Sequence, residues 1–378
     1  MKIPLLMTPG PTYVHEEVRS AMAREITNPD LDPDFYEFYK ETSDALKALM
    51  KTRNDILILS GEGILGLEAA CCSVIEPGDR ILCIDNGIFG KGFGDFASMY
   101  GGEVTYFTDK YRHAIDVDKL KSFLEKDSSF KAATLVHCET PSGITNPVKD
   151  ICILLKQYGI LSIVDSVSAI GGEELSVDEW GMDIVLGGSQ KCLSAPPGLT
   201  FLSVSHDAWK KILGRKAPIT GFYCNLSHWK NWYQDKWFPY TQPISDIYAL
   251  KAAVDRLTKD KSYISRHRIA AEAVRNSIRA AGLELYPLSG FSNTVSTIMV
   301  PEGIKFSEIN NIMLSEHNVM IAGAFDFLKD KVMRIGHMGE NCSINKIKAA
   351  LDALDDTLAK LKHRTNAKMS EVFAKSLV

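Results

Sequence analysis

The feature that most constrains this chain is a series of short, nearly unbroken apolar runs, each followed by a turn and a helical pattern. DILILSG, opening at Asp55, precedes the helix-spaced ILGLEAACCSVI, and EPGD then turns the chain into RILCIDNG. The helical FGKGFGDFASMYG, the run EVTYF and the helical DVDKLKSFLEK follow. AATLVHCET, the helical DICILLKQYG and ILSIVDSVS come next, and MDIVLGG and LTFLSVS complete the set. Alternation of this kind predicts an α/β fold, with a mostly parallel sheet covered by helices. Runs with so little in–out alternation belong to strands buried on both faces. In such sheets ligands collect where the carboxyl ends of the strands meet the next loops.

A length of 378 residues is about twice that of a usual single domain. The pattern changes past Trp237. ISDIYALKAAVDRL and a long helical stretch from Ser262 to Ala281 lead into a smaller unit of strand and helix signals. That unit holds TVSTIMV, a helix around Glu308, KVMRIGHMG and NKIKAALDALDDTLAKLK. The expected division is an N-terminal arm over 1–18, a large domain over 19–257 and a small C-terminal α+β domain over 258–378. The closing SEVFAKSLV reads as a frayed helix.

Several function classes fall away on composition. The formal net charge is −4 and no basic block stands out, so nucleic acid is not an expected partner. The eight cysteines include no C-x-x-C pair, and Cys71 and Cys72 sit in an apolar run as small hydrophobes, so no metal site is expected. The apolar stretch of MKIPLLMTPGPT is too short for a signal peptide, and no run reaches membrane-spanning length. A cytoplasmic protein is the expectation.

Three loops carry chemistry. Ser60-Gly61-Glu62-Gly63 lies between a strand and a helix, where glycines let backbone N–H groups and the helix N-terminus approach an anion; a structural left-handed turn explains the same glycines. Asp165 ends the apolar run ILSIVDS, a costly place for a carboxylate unless it is paired; a helix cap or surface turn is the competing reading. Lys191 lies in GGSQKCLSAPPG, flanked by small residues and backed by Pro196-Pro197-Gly198. Lysine forms Schiff bases where its surroundings favour the free amine, although a plain surface lysine is the alternative. A carboxylate, a lysine and an anion cup are what a pyridoxal-type cofactor needs at its ring nitrogen, its aldehyde and its phosphate.

TPGPT, SGEGILGLEAA, DNGIFGKGFG, HCETPSG, VDSVSAIGG, GGSQKCLSAPPG and MRIGHMG, in that order, resemble the class V aminotransferases of fold type I. The nearest branches are alanine–glyoxylate or serine–pyruvate aminotransferase and pyridoxamine–pyruvate aminotransferase. The resemblance runs from about Thr8 to the C-terminal helix. It implies pyridoxal 5'-phosphate, or unphosphorylated pyridoxal or pyridoxamine as substrate, and an aldimine on Lys191. By the same resemblance Asp165 pairs with the ring nitrogen, Val167 and Phe89 flank the ring, and Thr140 bonds the ring hydroxyl. Gly63, Ile64 and Gln190 stand at the phosphate end. Arg334 grips the substrate carboxylate, with Gly10 beside it. Phe238 to Thr241, in WFPYTQ, resembles the segment that a partner subunit lends to the phosphate end, which implies a homodimer with shared active sites. The other implied partners are a small amino acid and a 2-oxo acid.

Two positions depart from the alanine–glyoxylate pattern. Glu62 stands where that branch has a small hydroxyl residue, and Phe238 where it has a tyrosine. A carboxylate in a phosphate cup is unfavourable, since two unit charges about 4 Å apart repel by about 4 kcal/mol at an effective dielectric near 20. In the pyridoxamine–pyruvate branch a glutamate stands at this place and the vitamer carries no phosphate. That branch also has a second arginine shortly before the RIGHMG motif, where this chain has Ala324. Two further readings remain. A cysteine desulfurase needs a nucleophilic cysteine on a late loop, and neither Cys224 nor Cys342 has a suitable setting. A non-catalytic vitamer-binding protein would have no use for Arg334.

Overall fold

The apolar runs assemble into one seven-stranded sheet in the computed structural model, which describes residues 3–377. Met1, Lys2 and Val378, the outermost residues of the expected arm and closing helix, lie outside the described residues. The strands stand side by side in the order Asp55–Ser60, Leu199–Val204, Ile184–Gly188, Leu161–Asp165, Ala132–Val136, Arg80–Asp85 and Glu103–Thr108. Leu199–Val204 is antiparallel to both its neighbours, and every other pairing is parallel. The four strands from Leu199–Val204 to Ala132–Val136 are buried at every residue, because helices cover both faces. Glu103–Thr108 is the edge and is largely solvent-facing, which suits its polar composition.

The helices begin where the turn chemistry allows. Pro33–Met50, absent from the expected elements, starts at Asp32, whose carboxylate accepts the Asp34 N–H, with proline in the first turn. Gly63–Val74 starts at Glu62 and Val117–Leu124 at Asp116. The long helices Ile244–Lys259 and Tyr263–Ala280 follow the sheet. No helix among the described residues is long and apolar enough to cross a membrane.

Two hydrophobic cores result. One joins residues from Phe35 to Leu257 around the sheet. The other joins residues from Ala270 to Phe373, including Ile298 and Ile335 of the antiparallel pair Val295–Met299 and Val332–Gly336. Met7, from the expected arm, is buried in the second core. The chain from Leu5 to Thr12 ties the two units together. Leu5–Leu6 pairs with Val319–Met320, the Gly336 N–H donates to the Met7 carbonyl at 2.7 Å, and the Thr12 N–H donates to the Gln190 carbonyl at 3.1 Å.

The closing helix is not frayed. Met369–Lys375 buries Met369 and Phe373 completely, and the Met369 N–H donates to Asp355 Oδ1 at 3.1 Å. Met369 and Phe373, four apart, seat one face of the helix on the second core. Truncating a ring buried as Phe373 is removes about 3–5 kcal/mol of stability.

Candidate active site

Asp165 is the last residue of a strand buried on both sides, and its carboxylate accepts the Val167 N–H at 2.8 Å. Burial pushes its pKa up to about 6, against the opposing pull of that N–H and of the Lys191 charge. A buried carboxylate held at this value lacks a cation in its immediate contact, and a protonated ring nitrogen would supply one.

Lys191 lies in the loop of a hairpin within the sheet, between the antiparallel strands Ile184–Gly188 and Leu199–Val204. The loop is cross-bonded. The Ser189 N–H donates to the Leu199 carbonyl and the Ala195 N–H to the Ser189 carbonyl, both at 3.0 Å, while the Ser189 hydroxyl donates to the Pro196 carbonyl at 2.6 Å. Lys191 Nζ donates to the Pro9 carbonyl at 2.7 Å. Burial lowers the pKa of the amine and Arg334 adds to the effect, with Asp165 opposing. Gly10 has a φ of +100°, and a Cβ there would lie 2.6 Å from Lys191 Cδ and 2.8 Å from Nζ, so this position has room for glycine alone.

A cavity of about 130 Å³ opens beside these two residues. Glu62, Gly63, Ile64, Phe89, Val167 and Gln190 line it together with Asp165 and Lys191. Gly63 lets the helix come against Val167, whose Cγ2 would be 2.7 Å from an added Cβ. Gln190 Oε1 is buried and has no hydrogen-bond partner among the described residues. At the helix end the Glu62 carboxylate is exposed and accepts the Ile64 N–H at 3.3 Å, while the Ile64 side chain is 41 % exposed. Of the two backbone donors expected to face an anion, Ile64's is therefore taken by Glu62.

The remaining expected residues stand apart from this lining. Arg334, in Val332–Gly336, is buried and donates from Nε to the Gly323 carbonyl at 2.7 Å. Burial pushes its pKa down to about 10, opposed by Glu139. Its charge helps to lower the pKa of Lys191. Thr140 is buried in the turn between Cys138–Glu139 and Ile144–Thr145; Cys138 lines the cavity and Thr140 does not.

The Phe238 ring, 3 % exposed, is stacked on Tyr36 at 4.7 Å and on Trp232 at 5.5 Å within its own protomer's core. Thr241 is exposed, with its hydroxyl on Asp30 Oδ2 at 3.2 Å.

Sequence analysis did not single out Glu139, although it lies in the quoted HCETPSG. Its carboxylate is fully buried and accepts the N–H groups of Phe89 and Gly90. A glutamate three residues past the buried strand Ala132–Val136 is a weaker form of the signal that marked Asp165.

Comparison with known proteins agrees with this geometry. The family description Aminotransferase class-V matches residues 9–322. The chain belongs to the class V aminotransferases. It is 36 % identical over 361 residues to an uncharacterised aminotransferase of Methanocaldococcus jannaschii, covering 94 % of this chain and 93 % of that one. It is 32 % identical to a pyridoxamine–pyruvate transaminase of Mesorhizobium japonicum, covering 93 % and 90 %. The crystal structure of the Bacillus subtilis ureidoglycine–glyoxylate aminotransferase superposes with a TM-score of 0.95 at 29 % identity, covering 100 % and 98 %. The architecture is fold type I, and the class V family implies pyridoxal phosphate chemistry. The residues present fit such a group: an under-paired buried carboxylate, a partly buried amine of lowered pKa, and the unpartnered Gln190 Oε1 surround one small cavity.

Proposed function

We propose that this aminotransferase moves an amino group between a small donor (alanine- or serine-like, or pyridoxamine) and a 2-oxo acid such as pyruvate or glyoxylate. The observation that carries the reading is the convergence of Lys191 and Asp165 on one cavity from two adjacent strand ends. A pyridoxal ring, when bound there, supplies an aldehyde carbon that takes up and returns the amino group, and an electron sink for the substrate α-carbon. Lys191 would hold the ring by that carbon, and its free amine would carry the proton at the substrate α-carbon. Its lowered pKa favours the neutral amine that this role requires. Asp165 would hold the proton on the ring nitrogen, Phe89 and Val167 would flank the ring, and Thr140 would meet the ring hydroxyl. Arg334, with Gly10, holds the substrate carboxylate in a planar two-bond grip. A homodimer belongs to the same proposal, with Trp237, 48 % exposed, and Thr241 as the part of their segment open to a second copy.

Glu62 favours a second, narrower reading, in which the vitamer is unphosphorylated and is itself a substrate. Its carboxylate already occupies the helix N-terminus that an anion would need. A hydroxymethyl group can donate to a carboxylate, whereas a phosphate is repelled by it. The relative named for pyridoxamine and pyruvate is consistent with this choice. The test incubates the protein with pyruvate and either pyridoxamine or its phosphate and measures alanine. Alanine should form, and faster with the unphosphorylated vitamer. Glu62→Ser should tighten the phosphate ester by about tenfold relative to free pyridoxal. Tight phosphate-ester binding that ignores the substitution would remove the narrower reading, and no amino transfer with any donor would remove the broader one.

A further inference from the structure

Glu139 is a fully buried carboxylate one residue before the turn that holds Thr140. Its oxygens divide two backbone donors: Oε1 accepts the Phe89 N–H and Oε2 the Gly90 N–H, each at 2.9 Å. These are first-turn donors of Ile88–Met99, whose N-cap, Gly87, has no side chain to accept them. Gly87 also makes room for the remote cap. Its φ is +152°, and a Cβ there would lie 2.8 Å from Glu139 Cγ. The turn so fixed carries Phe89 to the cavity wall.

On its other side Glu139 leads into a turn that packs on the antiparallel pair holding Arg334. The turn after it is met by Thr297, whose hydroxyl donates to the Pro141 carbonyl at 3.4 Å. Thr297 is the register partner of Arg334 in the antiparallel pair, and such partners share a face. One negative group thus stands between the aromatic wall of the cavity and the guanidinium. An influence of Glu139 on Arg334 is consistent with that placement, although Arg334 is not among the groups that shift Glu139. Burial pushes Glu139 up to about 7, with the Phe89 and Gly90 N–H groups opposing and Asp165 and Asp85 adding to it, while Glu139 acts against burial at Arg334.

We infer that Glu139 is a positioning residue that clamps Phe89 against the cavity and whose charge moderates the hold of Arg334 on a substrate carboxylate, so that the product acid can leave. This inference rests on the reading of Arg334 given above. Two variants separate the two duties. Glu139→Gln removes the charge and keeps one acceptor oxygen, so one of the two backbone N–H bonds is retained while the other donor meets the amide NH2. Glu139→Asp keeps the charge but is one carbon too short to reach both donors.

The experiment measures equilibrium binding of pyruvate and of pyridoxal to the purified full chain at pH 8 by calorimetry. Glu139→Gln should tighten pyruvate about fivefold, since an anion beside the receptor cation is removed. Glu139→Asp should weaken pyridoxal about fivefold, the scale of one lost hydrogen bond at the ring-bearing turn, without tightening pyruvate. Any other pattern overturns the inference, in particular parallel weakening of both ligands in both variants, which a purely structural cap would give. Arg334→Lys is measured alongside. If it leaves pyruvate binding untouched, the reading of Arg334 has failed; if it weakens pyruvate while Glu139→Gln does nothing, only the inference about Glu139 has failed.

Discussion

The two ends of the cavity are built on opposite principles. At the lysine end the amine and the carboxylate each have a backbone partner: Lys191 Nζ the Pro9 carbonyl, Asp165 the Val167 N–H. At the helix end the carboxylate of Glu62 and the side chain of Ile64 face solvent, and the one hydrogen bond between them is local to a single turn. The enclosed end is built on the strand ends of the central sheet. The open end can accept a different side chain at little cost to the fold. Reaction chemistry is assigned to the first and ligand choice to the second, and substitutions at the two ends should differ accordingly.

The largest effect is expected from Lys191→Ala. No neighbouring amine replaces it, because Gln190 and Cys192 flank it. Amino transfer should fall by at least about 10³-fold and the visible-edge absorbance that pyridoxal gives with a protein amine should vanish, while the circular dichroism spectrum is kept. Turnover near the parent rate would dissolve the distinction between the two ends.

Asp165→Asn should come next, with a loss of about 10²-fold in transfer, because an amide cannot hold the ring-nitrogen proton. The folded carboxyl titrates near 6, above its ordinary 3.8. It becomes neutral as pH falls through about 6, so parent affinity for pyridoxal should drop below that point, and the variant should not show this drop. For folding the sign runs the other way. A carboxyl with a raised folded pKa destabilises the protein where it is charged, so the ligand-free variant should melt above the parent at pH 8. Equal melting temperatures at pH 8 and an unchanged pH profile would mark Asp165 as a plain strand-end residue.

Arg334→Lys sharpens the comparison from the substrate side. Affinity for amino-acid and 2-oxo-acid partners should fall by about tenfold, since a point charge replaces a planar fork. Unchanged KM for both would take Arg334 out of the site. The helix-end substitution, Glu62→Ser, is expected to move selectivity while leaving transfer chemistry in place.

The enclosed end was legible in the sequence because both key residues sit at or just after apolar runs. Asp165 closes Leu161–Asp165, and Lys191 follows Ile184–Gly188 by three positions. Buried strands write themselves as unbroken Val, Ile and Leu. What remained hidden depends on contacts between distant segments. The reversed direction of Leu199–Val204 leaves no trace in its composition, since a strand buried on both faces reads alike either way. The segment of Phe238 resembles a site, whereas the packing of its ring on Tyr36, Tyr39 and Trp232, aromatics spread along the chain, shows only in the fold. Glu139 caps a helix whose first turn lies 50 residues earlier, and local capping rules look only a few residues away. The closing helix was read as frayed for the same reason, its anchor being the second core.

The hairpin that presents Lys191 has a kinetic meaning. Its two strands are bonded to each other within the sheet, and its loop is bonded across its own width through Ser189, Ala195 and Pro196. Moving the amine away from the cavity by bending its backbone would require unzipping a buried ladder, so only the side chain's own rotations remain. Folding has therefore already removed the translational freedom that a dissolved amine would have to lose at each encounter. Intramolecular groups held in this manner react as though present at about 10⁵ M or more. The local concentration of the nucleophile is thus a property of strand pairing, fixed before any ligand arrives.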